Sequence, residues 1–142
     1  MQQLTAHFSL EETTRSAKAT QCGIPNEPGI AFISNLQHLC QEVLEPLREH
    51  VGKPIHVSSG YRCRELNQLV GGVPNSQHMK GEAADLIVPT PAIGREWLAW
   101  IEKNCKHFDQ AILERNKKGA WWLHVSCRRE LHMNRHQAFL KF

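Results

Sequence analysis

The sequence has no apolar run long enough to cross a membrane, and its opening MQQLTAHFSLEETTR lacks the apolar centre of a secretory leader. The first absence predicts no membrane insertion. The second predicts that the chain as given starts in the cytoplasm and reaches any other compartment by another route. No pair of cysteines is spaced C-x-x-C, and the five present (Cys22, Cys40, Cys63, Cys105 and Cys127) make an odd number. That pattern excludes a cysteine-rich structural zinc site and a fully paired disulfide framework, and it predicts free thiols in reducing surroundings. Strong charge of one sign is also missing. Seventeen Lys and Arg against fourteen Asp and Glu leave a formal +3, which attracts anionic polymers only weakly. Even with the basic segment RRELHMNRH near the C-terminus this is no nucleic-acid footprint, so no nucleic-acid partner is expected. There is no internal repeat, low-complexity tract or linker. What is present is ordinary globular material, with 41% hydrophobic and 22% charged residues. It predicts one domain over 1–142 with its own core, acting as a monomer. Nine histidines raise the prospect of metal binding slightly.

Periodicity places the elements. Ser9-Leu10-Glu11-Glu12 reads as a capping box before a short helix over about 10–19. Apolar residues at helical spacing, from Ile30 through Leu36, Leu39, Cys40, Val43, Leu44 and Leu47, predict a helix to about Glu49, kinked or loosened by Pro46. Ile55–Ser58 reads as a short strand, and Ser59-Gly60-Tyr61-Arg62 turns from it into a helix carrying Leu66, Leu69 and Val70. Gly71–Asn75 is a loop. Ala83–Val88 reads as a buried strand and Ile93–Asn104 as a helix. Phe108–Glu114 and Trp121–Cys127 read as a hairpin around the polar loop 115–120, and the tail from Asn134 gives no clear signal. Early helices and later strands predict an α+β fold, a small antiparallel sheet packed with helices.

The stretch SQHMKGEAAD (76–85) raises the functional question. Asp85 enters a strand whose neighbours are all apolar or small, so its carboxylate needs a cation, hydrogen bonds or a metal. Period-2 alternation puts Ala83, Asp85 and Ile87 on one face of their strand, and Trp122, His124 and Ser126 on one face of theirs. Asp85 and His124 can therefore converge, with His78 leaning in from the loop before, where Gly81 gives backbone freedom. Two histidines and a carboxylate match a catalytic zinc set, which keeps a fourth position for water. On spacing alone, the other reading stays open: a strand-end aspartate bonded to loop amides, with His124 a satisfied core histidine.

The ordered motifs Ser59-Gly60-Tyr61-Arg62, Leu66-Asn67, Ser76-x-His78-x-x-Gly81-x-Ala83-x-Asp85 and Trp122-x-His124 resemble the signature of the zinc D-Ala-D-Ala carboxypeptidases and related peptidoglycan peptidases, which share the Hedgehog/DD-peptidase fold. The opening HFSLEETTRSAKA and the segment FDQAILE resemble the compact branch found in bacterial and phage proteins. The resemblance spans nearly the whole chain. It implies a Hedgehog/DD-peptidase-like fold, Zn2+ as cofactor and His78, Asp85 and His124 as its ligands. It implies Arg62 as the cation for a substrate carboxylate or the developing oxyanion, and Ser76 as a hydrogen-bonding group near the metal or the substrate. Trp122 is read separately as a wall of the substrate cleft. The implied substrate is a peptidoglycan stem peptide, cut at D-Ala-D-Ala or, as in phage lysis enzymes, at L-Ala-D-Glu. The place of action would be the cell wall, reached through phage lysis or a tail particle.

One departure stands out. Several members of that family carry a glutamate three residues before the last zinc histidine, and here that position is Trp121. If Glu114 pairs with Trp122 across the hairpin, Gln110, Ile112 and Glu114 share the face of His124, and Glu114 lies diagonal to it, making it the substitute general base. Glu82 is turned away by alternation. A module that keeps the fold but has lost efficient catalysis is the competing reading, favoured by the missing glutamate and opposed by the intact ligand set. His56 is a candidate neighbour of the site, and the remaining histidines are read as surface. Trp97 and Trp100 are read as core between helix and sheet, and at least one of Trp121 and Trp122 as packing.

Overall fold

The computed structural model describes residues 2–142. Its chain begins with a short hairpin, β1 (Gln3–Thr5) and β2 (Phe8–Ser9), followed by α1 (Leu10–Thr14) and α2 (Ala17–Gln21). The expected capping box is formed: Ser9 Oγ accepts from the Glu12 amide at 3.2 Å and the Glu12 carboxylate accepts from the Ser9 amide at 2.9 Å. The single helix expected over 10–19 is instead two. Thr13 and Thr14 bond back to carbonyls at Ser9 and Leu10, Arg15 is extended, and Ser16 caps a new start by accepting from Ala19. Hydroxyls offering local alternatives to helical bonding break the run.

The long helix is present as α3 (Ile30–Leu39), a π-helical turn (Cys40–Leu44) and α4 (Glu45–Val51). Pro46 accounts for the middle piece. A proline removes one backbone donor and crowds the carbonyl four residues earlier. The turn widens just ahead of it, and the Glu45 amide reaches back five residues to Cys40. Then come β3 (Val57–Ser59), α5 (Arg64–Leu69), a 3-10 turn (Gln77–Lys80), β4 (Ala83–Ile87), α6 (Pro91–Asn104), β5 (Gln110–Arg115), β6 (Trp121–Ser126), a second 3-10 turn (Leu131–Met133) and β7 (Gln137–Lys141).

Five strands form one sheet in the order β3-β4-β6-β5-β7. The first four run antiparallel, as expected, while β7 adds to β5 in parallel and makes the sheet mixed. The tail gave no strand signal because its pattern is almost wholly exposed. What fixes it is distant in sequence: Asp109, just before β5, takes three bonds from Arg135, and its carbonyl accepts from Gln137.

The two faces of the sheet differ sharply. Leu86, Leu113, Leu123 and Val125 on the back face are fully buried, in one core with Leu36, Leu39, Val43, Leu44 and Leu47 of the long helix and Trp97 and Ile101 of α6. Each such leucine contributes about 2 kcal/mol by burial. The front face is polar in its centre. Strand register lines up Ser59, Asp85, His124, Ile112 and Phe139 as one row across all five strands, and Ile87, Trp122, Glu114 and Lys141 as the next row across four of them. The back face alone carries the core, which leaves the front face free for chemistry.

Candidate metal and active site

Register brings Asp85 and His124 into direct cross-strand apposition. His124 Nδ1 lies 2.9 Å from Asp85 Oδ1, and His78 Nε2 lies 3.4 Å from the same oxygen. The three potential ligand atoms all fall within 4.8 Å of one another. His78 reaches the sheet from the 3-10 turn and is almost fully buried, while Asp85 and His124 are partly buried.

His78 is held by a second contact. Its Nδ1 is 2.7 Å from the Gly60 carbonyl. A carbonyl only accepts, so Nδ1 carries the proton, and in the neutral imidazole Nε2 then presents a lone pair towards Asp85. A lone pair and a carboxylate oxygen 3.4 Å apart repel unless a cation sits between them. Outer bonds that orient imidazoles in this way are typical of metal-ligating histidines. Asp85 shows the same bias. Burial pushes its carboxyl pKa up, but the hydrogen bond from His124 and the adjacent His78 ring outweigh that and hold it well below the usual range. Two imidazoles and an ionised carboxylate are a donor set suited to zinc.

The sequence holds this geometry at two glycines. A side chain at Gly60 would place its Cβ 2.1 Å from the Thr13 carbonyl oxygen, so only glycine lets the SGYR segment pass α1 and offer its carbonyl to His78. Gly81 sits at φ +72°, with the Phe32 carbonyl 2.5 Å from where a Cβ would be. It turns the chain from the His78 turn into β4.

Arg62 lies beside the cluster. Its backbone amide donates to the His78 carbonyl at 3.0 Å and its Nη2 to Ser76 Oγ at 3.4 Å, while its buried Nε has no protein partner among the described residues. Burial pulls its pKa down, and the Asp85 carboxylate pulls it back up in part. Ser76 is buried and also accepts from the His78 amide at 3.2 Å, capping the turn that carries this histidine. One hydroxyl thus serves both the ligand turn and the cation.

Glu114 pairs with Trp122, the register on which its position diagonal to His124 depends, and Ile112 pairs with His124. Glu114 and Trp122 are both half-buried on the front face. Glu114 forms no ion pair among the described residues, because Arg115 instead lies over the rings of Trp121 and Phe142. Trp121, three residues from His124, belongs by alternation to the opposite face and packs against the core and Phe142. Glu82 likewise lies away from the cluster. His56 is exposed and contributes only its carbonyl, to Ile87. Trp97 is buried as expected, while Trp100 is half-buried and stacks on His50.

Asn26 is a site residue that sequence reasoning missed. Its amide donates to the carbonyls of Thr14 and Tyr61 and accepts from the Cys63 amide, bracing the SGYR segment on both sides of Arg62. Its setting in NEPG signals only a turn, and the contacts made 35 and 37 residues away leave no local trace.

Forty-four residues, 30% of the chain, are 50% identical to the zinc D-Ala-D-Ala carboxypeptidase of Streptomyces albus G, and they make up 17% of that relative's length. The chain therefore matches a small part of this relative. The model of the peptidase M15 family matches residues 6–126, which take in every member of the cluster. With the ordered motifs, the α+β fold and the three converging side chains in place, the chain belongs to the peptidase M15 family.

Proposed function

We propose that residues 1–142 form one zinc peptidase domain that hydrolyses peptidoglycan stem peptides at the cell wall, at D-Ala-D-Ala. The observation that carries this reading is the convergence of His78, Asp85 and His124 on the open sheet face, with the Arg62 guanidinium alongside. His78, Asp85 and His124 hold the metal. Zinc bound there supplies a Lewis acid and water acidified towards a pKa of ~7.

The chain's own residues do the rest. Arg62 binds the substrate carboxylate or the oxyanion that forms as the scissile carbonyl becomes tetrahedral. Ser76 keeps the guanidinium facing the site through its hydroxyl. Glu114 takes the proton from the attacking water and delivers it to the leaving amine, so the peptide bond is replaced by one carboxylate and one amine. Trp122 forms the apolar wall next to Glu114 and limits water at the reacting bond.

The test is mass spectrometry of defined muropeptides incubated with zinc-loaded protein, with His124→Ala as control. Fragments that appear only with the intact ligand set support the peptidase, and their masses name the bond; cleavage between L-Ala and D-Glu would replace the D-Ala-D-Ala assignment. Zinc bound at one per chain with no cleavage of any muropeptide would leave a binding module of the same fold. Glu114→Gln should lower kcat by about 10²–10⁴ with zinc retained. Unchanged turnover would remove Glu114 from the role of base.

A further inference from the structure

Beside the metal cluster lies a cavity of about 480 Å³, walled by Arg15, Lys18, Ser59, Tyr61, Arg62 and Leu66 among others. That volume is in the range of small-ligand sites, roughly 300–1,000 Å³. Two features join it to the site. Ser59 pairs with Asp85 in the row that carries His124, and Arg62 lines the cavity while touching Ser76.

The charge of the cavity is one-sided. Three cations line it and no Asp or Glu does. None of Arg15, Lys18 and Arg62 has a carboxylate within ion-pair distance among the described residues. The contrast is Asp109, where two arginines converge on a carboxylate. Cations gathered at a concave, partly apolar surface repel one another and focus a field that favours an anion. The buried, unpartnered Nε of Arg62 adds an unmet donor. Leu66 and the Tyr61 ring supply apolar wall for the carbon frame of the ligand.

We infer that this cavity is a substrate subsite in which Arg15 and Lys18 bind a carboxylate of the stem peptide in addition to the group held by Arg62. The inference rests on the peptidase reading above. A stem pentapeptide ending in D-Ala-D-Ala with lysine at its third position carries two such groups, the glutamyl carboxylate and the C-terminal carboxylate. Either presents the same chemistry to the cavity.

The experiment is calorimetric binding and cleavage of three synthetic pentapeptides by the zinc-loaded full chain. One has both carboxylates free, one has the glutamyl group as its amide and one has the C-terminus as its amide. The wild-type protein should bind at least one amide about tenfold more weakly than the free form, and the amide whose affinity survives the loss of Arg15 and Lys18 identifies the source. In Arg15→Gln/Lys18→Gln the free peptide should lose the same factor, while the discriminating amide changes less than twofold. Arg15→Glu should bind that amide better than the free form. Lys106→Gln, an exposed lysine outside the cavity, should change nothing, and thermal melting checks that each variant is folded. Equal binding of all three peptides, or equal weakening of all three in the double variant, overturns the subsite while cleavage leaves the peptidase reading standing. If no form is bound or cut, both fall.

Discussion

Two aspartates, Asp85 within the sheet and Asp109 just ahead of β5, meet their burial in opposite ways. Asp109 is wholly buried and accepts from the Arg135 amide at 2.8 Å, its Nε at 3.0 Å and its Nη2 at 2.8 Å, with Arg128 Nε at 3.5 Å. Asp85 is 17% exposed and faces two imidazoles. Burial raises both carboxyl pKa values and the neighbouring groups outweigh it in both, taking Asp109 down to about 2 and Asp85 well below the carboxylate range. The difference lies in the partner. A guanidinium is charged at every ordinary pH, so Asp109 is electrically complete and its work is structural: it ties β5 to the segment leading into β7. An imidazole whose other nitrogen already donates to a backbone carbonyl, as in His78, offers a lone pair and no charge. The Asp85 cluster is therefore complete only with a cation added. A buried carboxylate with neutral partners is half a site, and one with permanent cations is a fastening.

Exchanging each carboxylate for its amide gives the largest separation. Asp85→Asn should abolish stoichiometric zinc binding and lower cleavage by about 10³-fold or more, beyond the roughly 10–100-fold typical of losses in the outer shell. Asp109→Asn should do the reverse, keeping zinc and cleavage while losing about 3 kcal/mol of stability, because Arg135 and Arg128 keep their charges without an ionised partner. Metal analysis, turnover and urea denaturation of the two variants read all of this. Loss of zinc in Asp109→Asn would break the contrast.

Acid titration sharpens it with a smaller effect. The folded carboxyl of Asp109 sits at about 2 and an unfolded one at about 3.9. The stabilisation is thus fully present above about pH 5 and is lost as pH falls through 2, to a total of roughly 2–3 kcal/mol once the folded carboxyl is fully protonated. Asp85 titrates in the same direction, so the useful quantity is the stability gap between the parent and Asp109→Asn. That gap should narrow by about 2 kcal/mol between pH 5 and pH 2. A gap that stays constant over this range would mean that Asp109 does not owe its depressed pKa to the fold.

The sequence exposes Asp85 and hides Asp109 for the same reason. Asp85 lies in an apolar strand seven residues after His78, and the alternation of two short strands is enough to place it opposite His124. The pairing of Glu114 with Trp122 was equally legible, since a hairpin with a short loop has few registers. Asp109 depends on Arg135, 26 residues on, and β7 depends on Asp109, so neither shows in any local pattern. The split of the first helix at Arg15–Ser16 was missed in a similar way, as was the π form taken by the loosening expected at Pro46. Both are answers to hydrogen bonding that apolar spacing does not encode. Asn26 is the extreme case, a side chain that braces Arg62 from inside an ordinary turn motif.

Ser76 gives the finest distinction within the Asp85 region, between holding the metal and holding the substrate. Its hydroxyl accepts from the His78 amide at 3.2 Å and from Arg62 Nη2 at 3.4 Å. As the cap of a single turn it should contribute about 1 kcal/mol, so Ser76→Ala leaves the fold and the backbone around Gly60 intact. His78 keeps its Nδ1 bond to the Gly60 carbonyl and should still ligate. Arg62 keeps its backbone bond to the His78 carbonyl but loses the hydroxyl that aims its guanidinium. The expected result is undiminished zinc and a kcat/KM lowered about tenfold, close to 1.4 kcal/mol, with the change carried mainly by KM. Ser76→Thr, which restores a hydroxyl, should recover most of it. If zinc affinity falls and KM does not move, the hydroxyl acts through His78, and Ser76 belongs to the metal's support instead of the substrate's.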